Sequence, residues 1–301
     1  MTRSYWPLLL ILALIWGASY LFIKVAVEEL APTTTMALRL VLAAALLLAF
    51  LVHRIGVRRA FAEIRGAGVD GLVLGVLNTA VPFTLIGWGE QHIDSGVAAI
   101  ANASVPIFNA LLAVRFLPSE RIHGARLAGV LLGLFGVAVL AGVDPAGGWP
   151  AVAGTLAVVL ASLLYAAAGI YGQRRVSETA GPVLAAASTL FGALVLLPFA
   201  LVQAPSSVPS WEALGSIAAL GVLGTALAQL ILFRMLRLHG SARLSLVTYL
   251  MPPIALVYGA LLLGEEITVT MLAGLGLILL GVALGSGAMR TFRRAAPAPT
   301  P

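Results

Sequence analysis

Cysteine is absent from the 301 residues. That excludes a disulfide framework and any thiolate metal site. Charge is scarce as well: 10% of the residues are charged and 60% are hydrophobic. Soluble domains carry about a quarter charged residues, so this chain cannot coat a globule of its size with charge. It reads as an integral membrane protein. No phosphate-binding Walker loop occurs, which removes ATP as the expected energy source. No histidine or carboxylate falls in the middle of a long apolar run. An intramembrane enzyme needs a nucleophile with a base, or paired acids, at that depth, so no catalytic residue is nominated.

Other apparent signals also fail. Gly66-Ala67-Gly68-Val69-Asp70-Gly71 satisfies the dinucleotide pattern but follows no strand. Asn102-Ala103-Ser104 is a glycosylation sequon that lies inside an apolar run. Glu90, His92 and Asp94 cluster, but zinc normally wants three or four well-placed ligands, and neither a metal nor a cofactor is expected. The net charge of +6 would suit nucleic acid, but its distribution points to a lipid bilayer instead.

What is present is a repeat. Leu74-Gly75-Val76-Leu77-Asn78-Thr79-Ala80 returns as Leu220-Gly221-Val222-Leu223-Gly224-Thr225-Ala226. The same register carries Ser95 onto Ser241 and Pro106 onto Pro252. After a one-residue deletion, Leu127-Ala128-Gly129 falls on Leu272-Ala273-Gly274. Such self-similarity is the mark of a duplicated architecture.

A membrane span needs about 20 predominantly apolar residues. Ten runs qualify, near 6–27, 34–53, 69–89, 94–117, 124–143, 150–173, 182–203, 211–235, 241–263 and 268–288. The first, after Arg3, lacks the small-residue cleavage pattern of a secretory signal. With the N-terminus in the cytoplasm, every Lys and Arg except Lys24 and Arg39 falls on the cytoplasmic side, as the positive-inside rule requires. Five spans per repeat is odd, so the halves should lie inverted. The expected fold is an all-α membrane protein with ten transmembrane helices as two inverted five-helix repeats. The halves are 1–145 and 146–290, with both termini cytoplasmic and a Pro/Ala-rich tail over 291–301 that reads as disordered.

Polar residues recur at helical spacing. Trp16, Tyr20 and Lys24 share a face of the first span; Ser95, Asn102, Pro106 and Asn109 share one in the fourth. Ser162 and Tyr165, Thr225 and Gln229, and Tyr249 with Pro252 mark later spans, and Asn78 with Pro82 marks the third. Such faces avoid lipid. They either line a cavity or glue helices together, and one interhelical bond gives only about 0.6 kcal/mol. Pro106 and Pro252 each remove a backbone donor; each frees a carbonyl for a cavity or makes a kink. Lys24 either pairs with Glu28, four residues on, or forms with Arg39 an anion-attracting pair. Gly129 with Gly133 and Gly281 with Gly285 are small-residue pairs, suited to helix packing or to a dimer contact.

Leu14-Ile15-Trp16-Gly17-Ala18-Ser19 with Lys24, Arg39, and the two prolines followed by Ser119-Glu120-Arg121 and Gly264-Glu265-Glu266 carry a resemblance. The chain resembles the drug/metabolite transporter superfamily, EamA type, over nearly its whole length. The resemblance implies a ten-helix secondary carrier of the bacterial inner membrane. Its small-molecule substrate would be an amino acid or related metabolite, and the chain a monomer or a homodimer. The amides Asn102 and Asn109 exceed the family's usual pattern in the fourth span and leave the substrate open. The expected site comprises Trp16, Tyr20, Lys24, Arg39, Asn78, Asn102, Pro106, Tyr165, Gln229, Tyr249 and Pro252. The rival reading is a non-transporting membrane scaffold or lipid-handling protein.

Overall fold

The structure is a computed structural model that describes residues 5–116, 124–142, 148–239, 244 and 246–285. The readings placed on Arg3, Ser119-Glu120-Arg121, Ser241 and the tail lie outside the described residues. Among the described residues there is no strand. In lipid every backbone polar group must be paired within the protein, and a helix does this locally.

The helical rods, in order, are α1 (Tyr5–Glu29), α2 (Pro32–Ile55), α3 (Val57–Glu90), α4 (Ser95–Phe116) and α5 (Ala125–Gly142), followed by α6 (Gly148–Arg175), α7 (Gly181–Val202), α8 (Trp211–His239), α9 (Val247–Leu263) and α10 (Val269–Gly285). Among the described residues, seven helices (α1 to α4 and α6 to α8) are long and apolar enough to cross a membrane. Apolar stretches in α5, α9 and α10 are shorter. The segment before Val69, read from sequence as a loop, is helical. It joins the span through a bend at Gly68, whose φ of 34° suits a residue without a Cβ.

The duplicated heptapeptides have a structural counterpart. α3 widens to π-helix over Val76–Ala80 and α8 over Leu220–Leu227. Such widenings concentrate at functional sites. The two repeat prolines, by contrast, behave differently. α4 breaks into two segments at Ala103–Ser104, just before Pro106, whose ring excludes the carbonyl of residue 102 from a regular helix. α9 runs on through Pro252 and Pro253 and widens only at Gly259–Leu263.

Packing is closest where glycines meet. A Cβ on Gly281 would lie 2.6 Å from the Gly129 oxygen and 2.6 Å from the Gly133 nitrogen. Gly281 of α10 therefore sits against the Gly129 and Gly133 pair of α5, across the two halves of the chain. Gly17 of α1 similarly admits Ile254 of α9, whose Cγ2 is 2.6 Å from the position of a Cβ. Gly75 and Gly192 join α3 to α7 in the same way.

Candidate functional site

One large cavity, of about 1060 Å³, opens among α2, α3, α6, α7 and α8. Its deep part is lined by Asn78, Tyr165, Ser188 and Gln229; its mouth carries Arg54, Arg234 and Arg237. Tyr165 lies ten residues before the end of α6, about 15 Å along a helix, so the cavity reaches well into the bundle. Asn78 belongs to the π segment of α3, and Gln229 follows that of α8. One amide from each half thus reaches the cavity, the first within its repeated stretch and the second just after it. Apolar walls with a few placed polar groups are the usual make-up of a small-molecule site.

A layer of side chains lies behind Tyr165. Phe83 meets it edge to face, with ring centroids 6.4 Å apart. The Arg39 guanidinium stacks on Phe83, 3.9 Å from the centroid. Arg39 Nε donates to Thr225 Oγ1 at 2.8 Å, and a terminal nitrogen reaches the Gly224 carbonyl at 3.5 Å. The side chain is 3% exposed, and among the described residues it forms no ion pair. α2 is thereby tied to the π segment of α8.

The opposite end is shut by contacts between loops and helix ends. Lys24 Nζ donates to the Glu90 carbonyl at 2.7 Å and to the Ile93 carbonyl at 2.9 Å. It caps the C-terminal end of α3, where a cation is favoured, instead of pairing with Glu28. Gln91 Nε2 donates to the Val27 carbonyl at 3.1 Å. The Glu265 carboxylate crosses from the second half to the start of α4. There it accepts from Ser95 N at 2.7 Å, Ser95 Oγ at 2.9 Å and Gly96 N at 3.1 Å. Glu29 receives Ser210 through both its nitrogen and its hydroxyl. Burial and the nearby Glu265 push the Asp94 carboxyl above its ordinary range, against the pull of Lys24.

Of the residues nominated from sequence, Asn78, Tyr165 and Gln229 line the cavity. The others lie elsewhere. Asn102 donates to the Tyr20 hydroxyl at 2.8 Å and accepts from Ser162 Oγ at 3.1 Å. These polar faces of α1, α4 and α6 are joined to one another. Trp16 packs against two apolar clusters, and Tyr249 packs against the cluster of α5 and α10. Pro252 is buried and Pro106 half-buried. Sequence reasoning does not nominate the arginines of the mouth. Their recurrence at helix ends that the positive-inside rule assigns to the cytoplasm reads as an orientation signal, although Arg237 shares a helical face with Gln229. Glu90 stands out in the sequence only as one of the protonatable groups at helix ends, with Asp94 and Glu120, and the sequence gives no sign that it is 0% exposed.

Known proteins resemble this chain over nearly its whole length. Over its full length the chain is 30% identical to a protein named "Probable terminal-alkyne amino-acid exporter" from Streptantibioticus cattleyicolor, covering 98% of that protein. It is 26% identical to an uncharacterized inner membrane transporter of Escherichia coli (strain K12), over 91% of this chain and 87% of the relative. A solved structure shares the fold with a TM-score of 0.67 at 20% identity, over 97% of this chain and 99% of the other. The model of the EamA-like transporter family matches twice, at residues 4–142 and 152–287. The duplication seen in the heptapeptides is therefore the family's own domain met two times, and the chain belongs to the EamA-like transporter family.

Proposed function

We propose that this multi-pass membrane protein exports amino acids or related carboxylate-bearing metabolites by alternating access. Ten spans would form two inverted five-helix repeats, with both termini in the cytoplasm. The conformation seen would then be inward-open. The observation that carries this reading is the asymmetry of the bundle. A cavity of about 1060 Å³ reaches arginine-bearing helix ends on one side, while Lys24, Gln91 and Glu265 close the other. Arginines at the mouth concentrate anionic or zwitterionic solutes. The exporter relative supports the substrate class.

Counterflow tests this. Proteoliposomes loaded with an unlabelled mixture of the common amino acids should accumulate radiolabelled amino acids from outside. Gln229→Ala and Asn78→Ala should each slow uptake roughly tenfold, the value of one hydrogen bond of about 1.4 kcal/mol. Absence of counterflow by the wild type, with monodisperse protein, would sink the amino-acid reading.

The orientation has its own test. The chain has no cysteine, so single reporters are clean. Thr268→Cys should react with an impermeant thiol reagent in intact cells, and Arg58→Cys should react only after permeabilisation. The reverse pattern would overturn the topology.

A further inference from the structure

Glu90 is the last residue of α3 and has 0% exposure. Among the described residues, neither of its carboxyl oxygens has a hydrogen-bond partner. The burial of the site has a cause. The neighbouring Gly89 lies directly against Gly154 of α6: a Cβ on Gly89 would stand 2.8 Å from the Gly154 oxygen. Two glycines let the helix backbones close over this end. Lys24 adds a second seal but spends its ammonium on the Glu90 and Ile93 carbonyls.

The ionisable surroundings are mixed. Lys24 and Arg39 attract negative charge at Glu90, and Glu265 repels it. Tyr20 of α1 interacts with it electrostatically. Asp94, on the connection to α4, is coupled to Lys24 and Glu265. His92 is half-buried and turned to the Trp88 carbonyl at 2.9 Å. The nearby part of α6 brings no charged side chain. Arg39 meanwhile is held by Thr225 and Phe83. Among the described residues, no cation therefore hydrogen-bonds the carboxyl group. Burying a carboxylate charge without a hydrogen bond is costly, and burying a neutral carboxyl group is far less so.

We propose that Glu90 is a proton-binding site linked to closure of the outer end. As the end closes, the carboxylate takes a proton from water on the outer side and forms an O–H bond. As the end opens, water re-enters and the proton returns to it. Low external pH then favours the inward-open form, and high pH favours opening toward the outside. The outer location rests on the orientation proposed above; the linkage of proton to closure rests only on Glu90 and its surroundings.

Thiol accessibility tests the linkage without any substrate, so its result is independent of counterflow. Val27 is 3% exposed at the closed end; Thr268 is exposed. The labelling rate of Val27→Cys is divided by that of Thr268→Cys at each pH, which removes the titration of the thiol itself. One linked proton gives up to about a tenfold change per pH unit. The ratio should rise with pH in the otherwise wild-type protein, should stay low and flat with Glu90→Gln, and should keep its slope with Asp94→Asn or His92→Gln. Should Glu90→Gln fail to fold, Glu90→Met serves as the second neutral variant. A flat ratio with Glu90 intact overturns the proposal whatever the variants do, and so does a slope that survives neutralisation of Glu90.

Discussion

A single methyl group at Gly281 is expected to unseat α10 from α5. The added Cβ would meet the Gly129 oxygen and the Gly133 nitrogen at 2.6 Å and the Gly133 Cα at 2.7 Å. All three are backbone atoms, so no rotamer change can make room. Overpacking of this kind costs about 1–3 kcal/mol, and more where the backbone must move. The loss should be large because packing between membrane helices rests on close van der Waals contact with little help from the hydrophobic effect. Gly281→Ala should lower the melting temperature in detergent, and Gly281→Leu should prevent recovery of monodisperse protein. At Gly276, on the same helix, nothing lies within 4 Å of where a Cβ would stand, and Gly276→Ala should leave the melting temperature unchanged. If the glycines instead served a contact between copies, Gly281→Ala would change the oligomeric state and spare the melting temperature.

The glycine pairs show how far the sequence could be read. Their spacing announces close helix packing, and the lack of charge from Leu127 to Gly142 and along α10 places them in lipid. Which partner they meet is a long-range fact: Gly281 finds Gly129 and Gly133 from about 150 residues away in chain order, through the folding of both halves. The cavity was legible only in part for a related reason. A helical stripe assumes 3.6 residues per turn, and a π segment adds a residue that rotates everything beyond it. Two such segments stand in α3 and α8. Asn78 and Gln229 reach the cavity, whereas Tyr20 and Asn102, on helices without a π segment, satisfy each other. Nothing in the local sequence separates a polar face that meets water from one that meets another polar face. The sequence marks Glu90 as a protonatable group at a helix end, but its burial was harder to read, because it depends on Gly89 meeting Gly154, a contact between helices far apart in sequence.

Arg39→Met is expected to abolish transport while leaving the protein at least as stable. Arginine is effectively always charged, and this one is 3% exposed with no ion pair among the described residues. A buried charge without a matching partner is a burden on folding, and an apolar residue of similar volume in its place is often neutral or stabilising by about 1–4 kcal/mol. The groups Arg39 touches tolerate its loss. The Thr225 oxygen loses one donor but keeps its own O–H to give, and the Phe83 ring can pack on a thioether. A residue kept at a cost to stability fits a role in function. Arg39 lies behind the Tyr165 and Phe83 layer, where a substrate carboxylate passing that layer would meet a planar fork of donors. Arg39→Lys keeps the charge but loses the fork and the stacking, and should recover little of the activity. The measurement is counterflow beside thermal unfolding for the two variants. A lowered melting temperature with transport preserved would make Arg39 a strut between α2 and α8. An unchanged or raised melting temperature with transport lost would put its guanidinium on the substrate's path.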